Sequence, residues 1–209
     1  MKTGMLHDGA KIRTIASTLK KCYVEKPLRL VCDPVCVSTS GYTLLVDSAV
    51  EALIGEILPL ATLITPNKSL AELIISRKQK VSISSLADLV SASGELLTLG
   101  SKAVLLDGGH VMMTMAEVRE LLATNPAISV YKYGLLEENM NILRVGRGEE
   151  YLISQLVIDV LQDSCGPGGA VEMSILIRPR IESASTHGTG CTLSAERCNC
   201  TRTRKWTHK

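Results

Sequence analysis

Phenylalanine is absent from the 209 residues, tryptophan occurs once, and aromatic residues make up 3% of the chain. The core must therefore be built from Leu, Ile, Val and Ala within a 45% hydrophobic composition that is globular rather than disordered. Long apolar runs are missing too. None approaches the ~20 residues that a membrane-spanning helix requires. Met1-Lys2-Thr3-Gly4 opens the chain without the apolar stretch of a secretory leader. The seven cysteines follow no regular spacing, and an odd number without a leader points to reduced thiols and a cytoplasmic protein. Net charge is only +2, and it is uneven. Five basic residues (Arg197, Arg202, Arg204, Lys205, Lys209) face one acid from Glu196 onward, which puts +4 on the tail and leaves about −2 on the body. A weakly acidic body gives no electrostatic case for nucleic acid.

What is present alternates in period. Asp8 to Cys22 reads as an amphipathic helix with Ile12, Ile15, Ala16 and Leu19 on one face. "LRLVCD" (Leu28–Asp33) reads as a buried strand. Asp47 is expected to cap "SAVEALIGEIL", which Pro59 ends. "ATLIT" (Ala61–Thr65) is a strand, and Pro66-Asn67 opens the helix "NKSLAELIIS". Ser84 or Ser85 caps "LADLVSASGELLTLG", stopped by Gly100. "KAVLL" (Lys102–Leu106) is a strand running into Asp107-Gly108-Gly109-His110. "SQLVIDVL" (Ser154–Leu161) and "EMSILI" (Glu172–Ile177) read as two further strands joined across Cys165-Gly166-Pro167-Gly168-Gly169. Residues 119–147 have the least regular pattern and read as an insertion or long connection. Short apolar strands alternating with helices predict an α/β fold with a mostly parallel sheet covered on both faces. Ligands of such sheets bind beyond the carboxyl ends of the strands, where Asp33, Thr65-Pro66-Asn67 and Asp107-Gly108-Gly109 fall.

Several short motifs have two readings each. His187-Gly188-Thr189-Gly190-Cys191 lets backbone N–H groups converge at a helix start, as an anion hole, or else makes a plain tight turn. Cys191 in the first helical turn has the setting that lowers a thiol pKa and suits it to act as a base. Asp33-Pro34-Val35 can face a metal or phosphate, or cap a loop. Thr65-Pro66-Asn67 reads as a helix cap, and Asp107-Gly108-Gly109-His110 as a turn after a strand.

Taken together the motifs say more. "MKTGMLHDG", "VCDPVCVSTSG", "ATLITPNKS", "VLLDGGH" and "STHGTGCTLSA" occur in that order and resemble the hydroxymethylpyrimidine/phosphomethylpyrimidine kinases of thiamine biosynthesis, in the ribokinase-like superfamily. The resemblance runs from Met1 to about Ala195. It implies a domain over 1–195, a three-layer α/β/α sandwich with an incomplete central sheet, and a basic, disordered, non-family tail over 196–209. It implies an ATP- and Mg²⁺-dependent kinase acting on a small aminopyrimidine and then on its monophosphate. Gly188, Thr189 and Gly190 would form the anion hole, and Cys191 would be the catalytic base. Met5 and Val35 match the pyrimidine pocket. Asn67, Gly108, Gly109, His110 and Thr189 match ATP and phosphate positions, and Asp33 an acid near the metal.

Three departures from the family pattern stand out. The pattern Asn-x-x-Glu, whose Glu helps hold Mg²⁺, reads Asn67-Lys68-Ser69-Leu70 here, and Leu70 has no oxygen for a hard cation. Glu72 lies about 200° further round the helix. The lysine often found before Gly-Gly-His is Asp107, an anion facing phosphates. Both ends of the family domain are expected to be missing, and the sequence from Glu196, with Cys198-x-Cys200, has no apolar periodicity. An exposed sheet edge predicts poor solubility or a homodimer that covers it. The rival readings are a non-catalytic, truncated remnant of such a kinase and a pyridoxal or pyridoxine kinase. Cys191 argues against the latter, since those enzymes tend to carry Asp there.

Overall fold

Two residues of strand, β1 (Lys2–Thr3), precede the first helix, α1 (Gly9–Cys22). Asp8 starts that helix. Its carboxylate accepts from the Ala10 N–H at 2.8 Å, and its carbonyl accepts from the Ile12 N–H at 3.0 Å. Ile12, Ala16 and Leu19 are buried along one stripe, as their spacing predicts. The computed structural model describes residues 1–22, 29–34, 46–77, 80–109, 111–132, 142–144, 150–152 and 156–179.

The order continues with β2 (Val31–Cys32), α2 (Asp47–Ala52), β3 (Leu63–Ile64), α3 (Lys68–Ile75), α4 (Leu86–Leu97) and β4 (Ala103–Leu106). Then come α5 (Met115–Thr124), β5 (Ser129–Lys132), β6 (Ile142–Arg144), β7 (Glu150–Leu152), β8 (Leu156–Asp163) and β9 (Glu172–Pro179). Seven strands form one sheet in the order β1-β2-β3-β4-β8-β9-β5, and β6 and β7 pair separately. β1 to β4 are parallel neighbours, as the alternating pattern predicts. β8 is reversed against both β4 and β9. Its direction follows from the short connection to β9, too short for a parallel crossover and closed by Gly168 and Gly169 at positive φ.

The capping signals explain the helix boundaries. Ser85 accepts from the Asp88 N–H while Asp88 reaches back to the Ser85 N–H, and Gly100 leaves the α4 end at φ 102°. The expectation that Asp47 caps α2 is corrected by the structure. Val46 holds the cap position, and Asp47 is the first helical residue, where its charge suits the helix dipole and pairs with Arg77 at 3.1 Å. α2 runs on through a π-helical turn, Leu53–Ile57, and a 3-10 turn, Leu58–Leu60, that contains Pro59.

Within the supposed irregular stretch at 119–147, α5, β5 and β6 correct the reading, while 133–141 and 145–147 lie outside the described residues. Thr114 and Glu117 form a second reciprocal capping box, and Met115 and Val118 turn inward. The helix is short and weakly amphipathic, so its periodicity is faint.

Both faces of the sheet are buried. On one face, Cys32, Ile64, Val104 and Leu106 pack with the apolar sides of the five α-helices among the described residues. On the other, Val31, Leu63, Ala103, Leu105 and Leu176 form a second cluster, with Val31 and Leu63 fully buried. A sheet covered on both sides is the arrangement the sequence predicted.

Candidate functional site

Strand alternation sends Val31, Leu63 and Leu105 to the second face, and the same parity carries Asp33, Thr65 and Asp107 there. Lys2, Asp159 and Arg178 share that parity through their strands' registers with β2, β4 and β8 respectively. Six neighbouring strands, or the residues just past them, thus each contribute one polar side chain to a line across the sheet.

The line is held by ion pairs. Lys2 Nζ stands 3.2 Å from Asp33 Oδ2, and the Asp33 N–H donates to the Thr3 carbonyl at 3.0 Å. Asp33 is only 6% exposed, so its carboxylate needs that partner. The Thr65 hydroxyl is buried without a hydrogen-bond partner among the described residues. Such an orphan at the carboxyl edge of a sheet is where a ligand atom fits.

The β4 end is fixed by backbone contacts. The Asp107 N–H donates to the Pro66 carbonyl at 3.0 Å, and Asp107 bridges Asn67. Asp107 Oδ1 accepts from the Gly109 N–H at 2.9 Å, which turns the chain. The Gly108 N–H points at Asp159 Oδ1, 3.3 Å away. A β-carbon at 108 would overlap the Ile158 carbonyl oxygen, so only glycine fits between β4 and β8.

Asp159 and Arg178 complete the cluster. Arg178 Nη1 lies 2.6 Å from Asp159 Oδ2, and Nη2 lies 3.4 Å from Oδ1. Nη2 also approaches Asp107 Oδ1 at 3.6 Å. Burial and the neighbouring Asp107 carboxylate push Asp159 up to about 7, against the pull of Arg178 and the Gly108 N–H.

The expected site residues fare unevenly. Asp33, Asn67, Gly108 and Gly109 come together at the carboxyl edge. The Asn67 side chain caps α3, accepting from the Leu70 N–H at 2.9 Å. Met5 is 52% exposed at the end of β1. Leu70 is fully buried in the core, and Glu72 is engaged elsewhere, accepting from the Ile83 N–H at 2.8 Å. Val35, His110, Gly188, Thr189, Gly190 and Cys191 lie outside the described residues, as does the tail over 196–209. Sequence reasoning missed Asp159 and Arg178. The signal was an aspartate inside the apolar run "LVIDVL", since a charge on a covered strand needs a partner. Cys32 is no nucleophile, because burial pushes its thiol up to about 12.

The described residues do not fit a protein-held magnesium ion. Asp33 is a single carboxylate already paired with Lys2, position 70 offers only carbon, and no metal-ligating trio occurs among the described residues. No helix among the described residues is long and apolar enough to cross a membrane.

Comparison with solved structures defines the class. Pyridoxal kinase from Staphylococcus aureus in complex with AMP-PCP matches with a TM-score of 0.61 over 98% of this chain and 55% of its own, at 20% identity. The ADP complex of Bacillus subtilis pyridoxal kinase matches at 0.57 over 93% and 54%, at 24% identity. The fold is ribokinase-like, an α/β architecture shared with these kinases.

Residues 1–142 match the phosphomethylpyrimidine kinase family, and the chain belongs to it. The hydroxymethylpyrimidine/phosphomethylpyrimidine kinase of Rhizobium meliloti is 30% identical over 195 residues, 93% of this chain and 53% of that protein. Its namesake from Mycobacterium bovis is 38% identical over 110 residues, 53% of this chain and 38% of that protein. The chain therefore spans about half or less of the length of these relatives.

Proposed function

We propose that this chain phosphorylates hydroxymethylpyrimidine and its monophosphate with ATP and Mg²⁺, a step of thiamine biosynthesis. Family membership supports the reaction class. The carrying observation is the polar line at the sheet's carboxyl edge, with Arg178 and the obligate Gly108 beside it. Phosphoryl transfer asks mainly for positioning and charge neutralisation, so a sparse site suffices. In this reading Gly188, Thr189 and Gly190 receive the transferred phosphoryl group, and Cys191 takes the proton of the attacking hydroxymethyl group. Met5 and Val35 contact the pyrimidine. Asn67, Gly108, Gly109 and His110 would face the nucleotide, and Asp33, held by Lys2, would face the Mg²⁺ that ATP itself carries rather than ligate it. The family domain occupies 1–195, supported by the alignment over 93% of the chain, and the basic tail lies outside it. In this reading the protein is cytoplasmic, and a homodimer covers the β1 edge of the sheet.

A second reading is favoured by the burial of Leu70: a non-catalytic remnant that keeps the fold without turnover. Calorimetry with ATP and Mg²⁺, with and without hydroxymethylpyrimidine, separates the two. Saturable binding that tightens with Mg²⁺, followed by product formation, supports the kinase. No binding by well-folded protein establishes the remnant. Turnover of pyridoxine but not of the pyrimidine would move the substrate to the pyridoxal kinase class.

A further inference from the structure

Arg178 is gripped unequally. Its side chain is 42% exposed, whereas that of its main partner, Asp159, is only 2% exposed. The Asp159 contacts at 2.6 and 3.4 Å form a two-point fork, while the Asp107 contact at 3.6 Å is an ion pair beyond hydrogen-bond length. Asp107 Oδ1 already accepts from the Gly109 N–H. The guanidinium is thus anchored from below by a buried carboxylate and loosely held at its outer edge, beside Gly108 and Gly109. The other cation on the polar line, Lys2, is paired with Asp33 on the far side of β3.

We infer that Arg178 is the phosphate-gripping residue of this chain: Asp159 anchors its guanidinium, and Nη2 exchanges Asp107 for a phosphate oxygen. The inference rests on the ATP reading above for the identity of the ligand. A phosphate brings more charge and more acceptor oxygens than one carboxylate, and arginine's planar fork suits it. Asp107 is then a competitor that occupies Arg178 when no phosphate is bound. This accounts for an acid beside the glycine pair. Its charge is balanced from β9 rather than from its own loop.

The test is calorimetry on the full chain at pH 8, with ATP in magnesium buffer and with tripolyphosphate. Asp107→Asn removes the competitor and tightens both ligands several-fold. Arg178→Ala weakens both by at least about tenfold, the loss expected for one charged hydrogen bond. Arg178→Lys keeps the charge without the fork and falls between. Because Arg178→Ala strands a buried carboxylate, the double variant Arg178→Ala/Asp159→Asn is measured beside it, with thermal melts to confirm folding. Wild-type affinity for ATP in a folded Arg178→Ala variant overturns the inference and leaves the kinase reading standing. Tripolyphosphate binding without ATP binding, lost on Arg178→Ala, upholds the grip and sinks the nucleotide reading. Folded wild-type protein that binds neither overturns both.

Discussion

Gly108 meets Asp159 across 51 positions of sequence, its N–H aimed at Oδ1 while the neighbouring Ile158 carbonyl fills the space where a side chain would begin. Backbone contact of this kind leaves no room to relax. Gly108→Ala should lower stability by about 3 kcal/mol, the upper range for overpacking. Gly55→Ala is the control. Nothing stands within 4 Å of a β-carbon there, so helix propensity should make that variant neutral or stabilised by up to about 1 kcal/mol. Urea denaturation of both variants checks the contrast. Equal effects would mean that β4 and β8 can separate at no cost.

Asp159 carries a pH dependence whose sign follows from its setting. In the unfolded chain it ionises near the ordinary aspartate value of about 3.9. In the fold it does so only near 7. Between those values the folded chain holds a proton that the unfolded chain has lost. The stability this group contributes is therefore full below the lower value, declines as pH rises toward about 7, and then levels off. Asp159→Asn abolishes that decline. Denaturation at pH 5 and pH 8 should show wild-type protein losing more stability on the alkaline side than the variant does. A loss that is the same in both would mean that Arg178 keeps Asp159 ionised throughout.

Position 70 cannot simply be restored. Leu70 is fully buried and packs in the main core beneath the start of α3. Leu70→Glu would remove core hydrocarbon and bury a carboxylate with no partner, for a loss of about 2–5 kcal/mol. The variant should also gain no Mg²⁺-dependent tightening of ATP. Melting curves and calorimetry together test this. Tightening by Mg²⁺ beyond that of the wild type, with unchanged stability, would show that the core yields and that the metal position is recoverable.

Thiol labelling offers a check on burial. Cys22 and Cys165 are exposed, while Cys32 is buried with its thiol pushed up to about 12. A brief pulse of iodoacetamide at pH 8 should label the first two and spare Cys32, and denaturant should remove the protection. Native labelling at Cys32 would mean that β2 opens readily.

Much of this architecture was legible because local signals agreed with the global pattern. Asp8, Asn67 and Ser85 announce their helices by capping chemistry that works over three residues. Apolar runs such as "KAVLL" can only be covered strands. The site was harder. Asp33, Asn67 and Gly108 lie at strand ends and could be found there. Asp159 and Arg178 sit within strands, and their meaning depends on register: only the pairing of β8 with β4 on one side and β9 on the other brings them against Asp107. Register between strands 50 residues apart leaves no local trace. α5 was overlooked for the opposite reason, its cap being clear but its apolar face narrow.

The β8–β9 hairpin also bears on how the site can change. β1, β2, β3 and β4 each bring one polar group, so altering that half of the line takes separate substitutions in separate strands. Asp159 and Arg178 arrive together on one contiguous segment of about twenty residues and are paired with each other across it. Transplanted as a unit, that hairpin would carry an arginine and its anchoring acid into another parallel sheet, with glycine at the facing position as the one demand made of the recipient. The charged half of the site is in this sense portable, and the glycine loop is its socket.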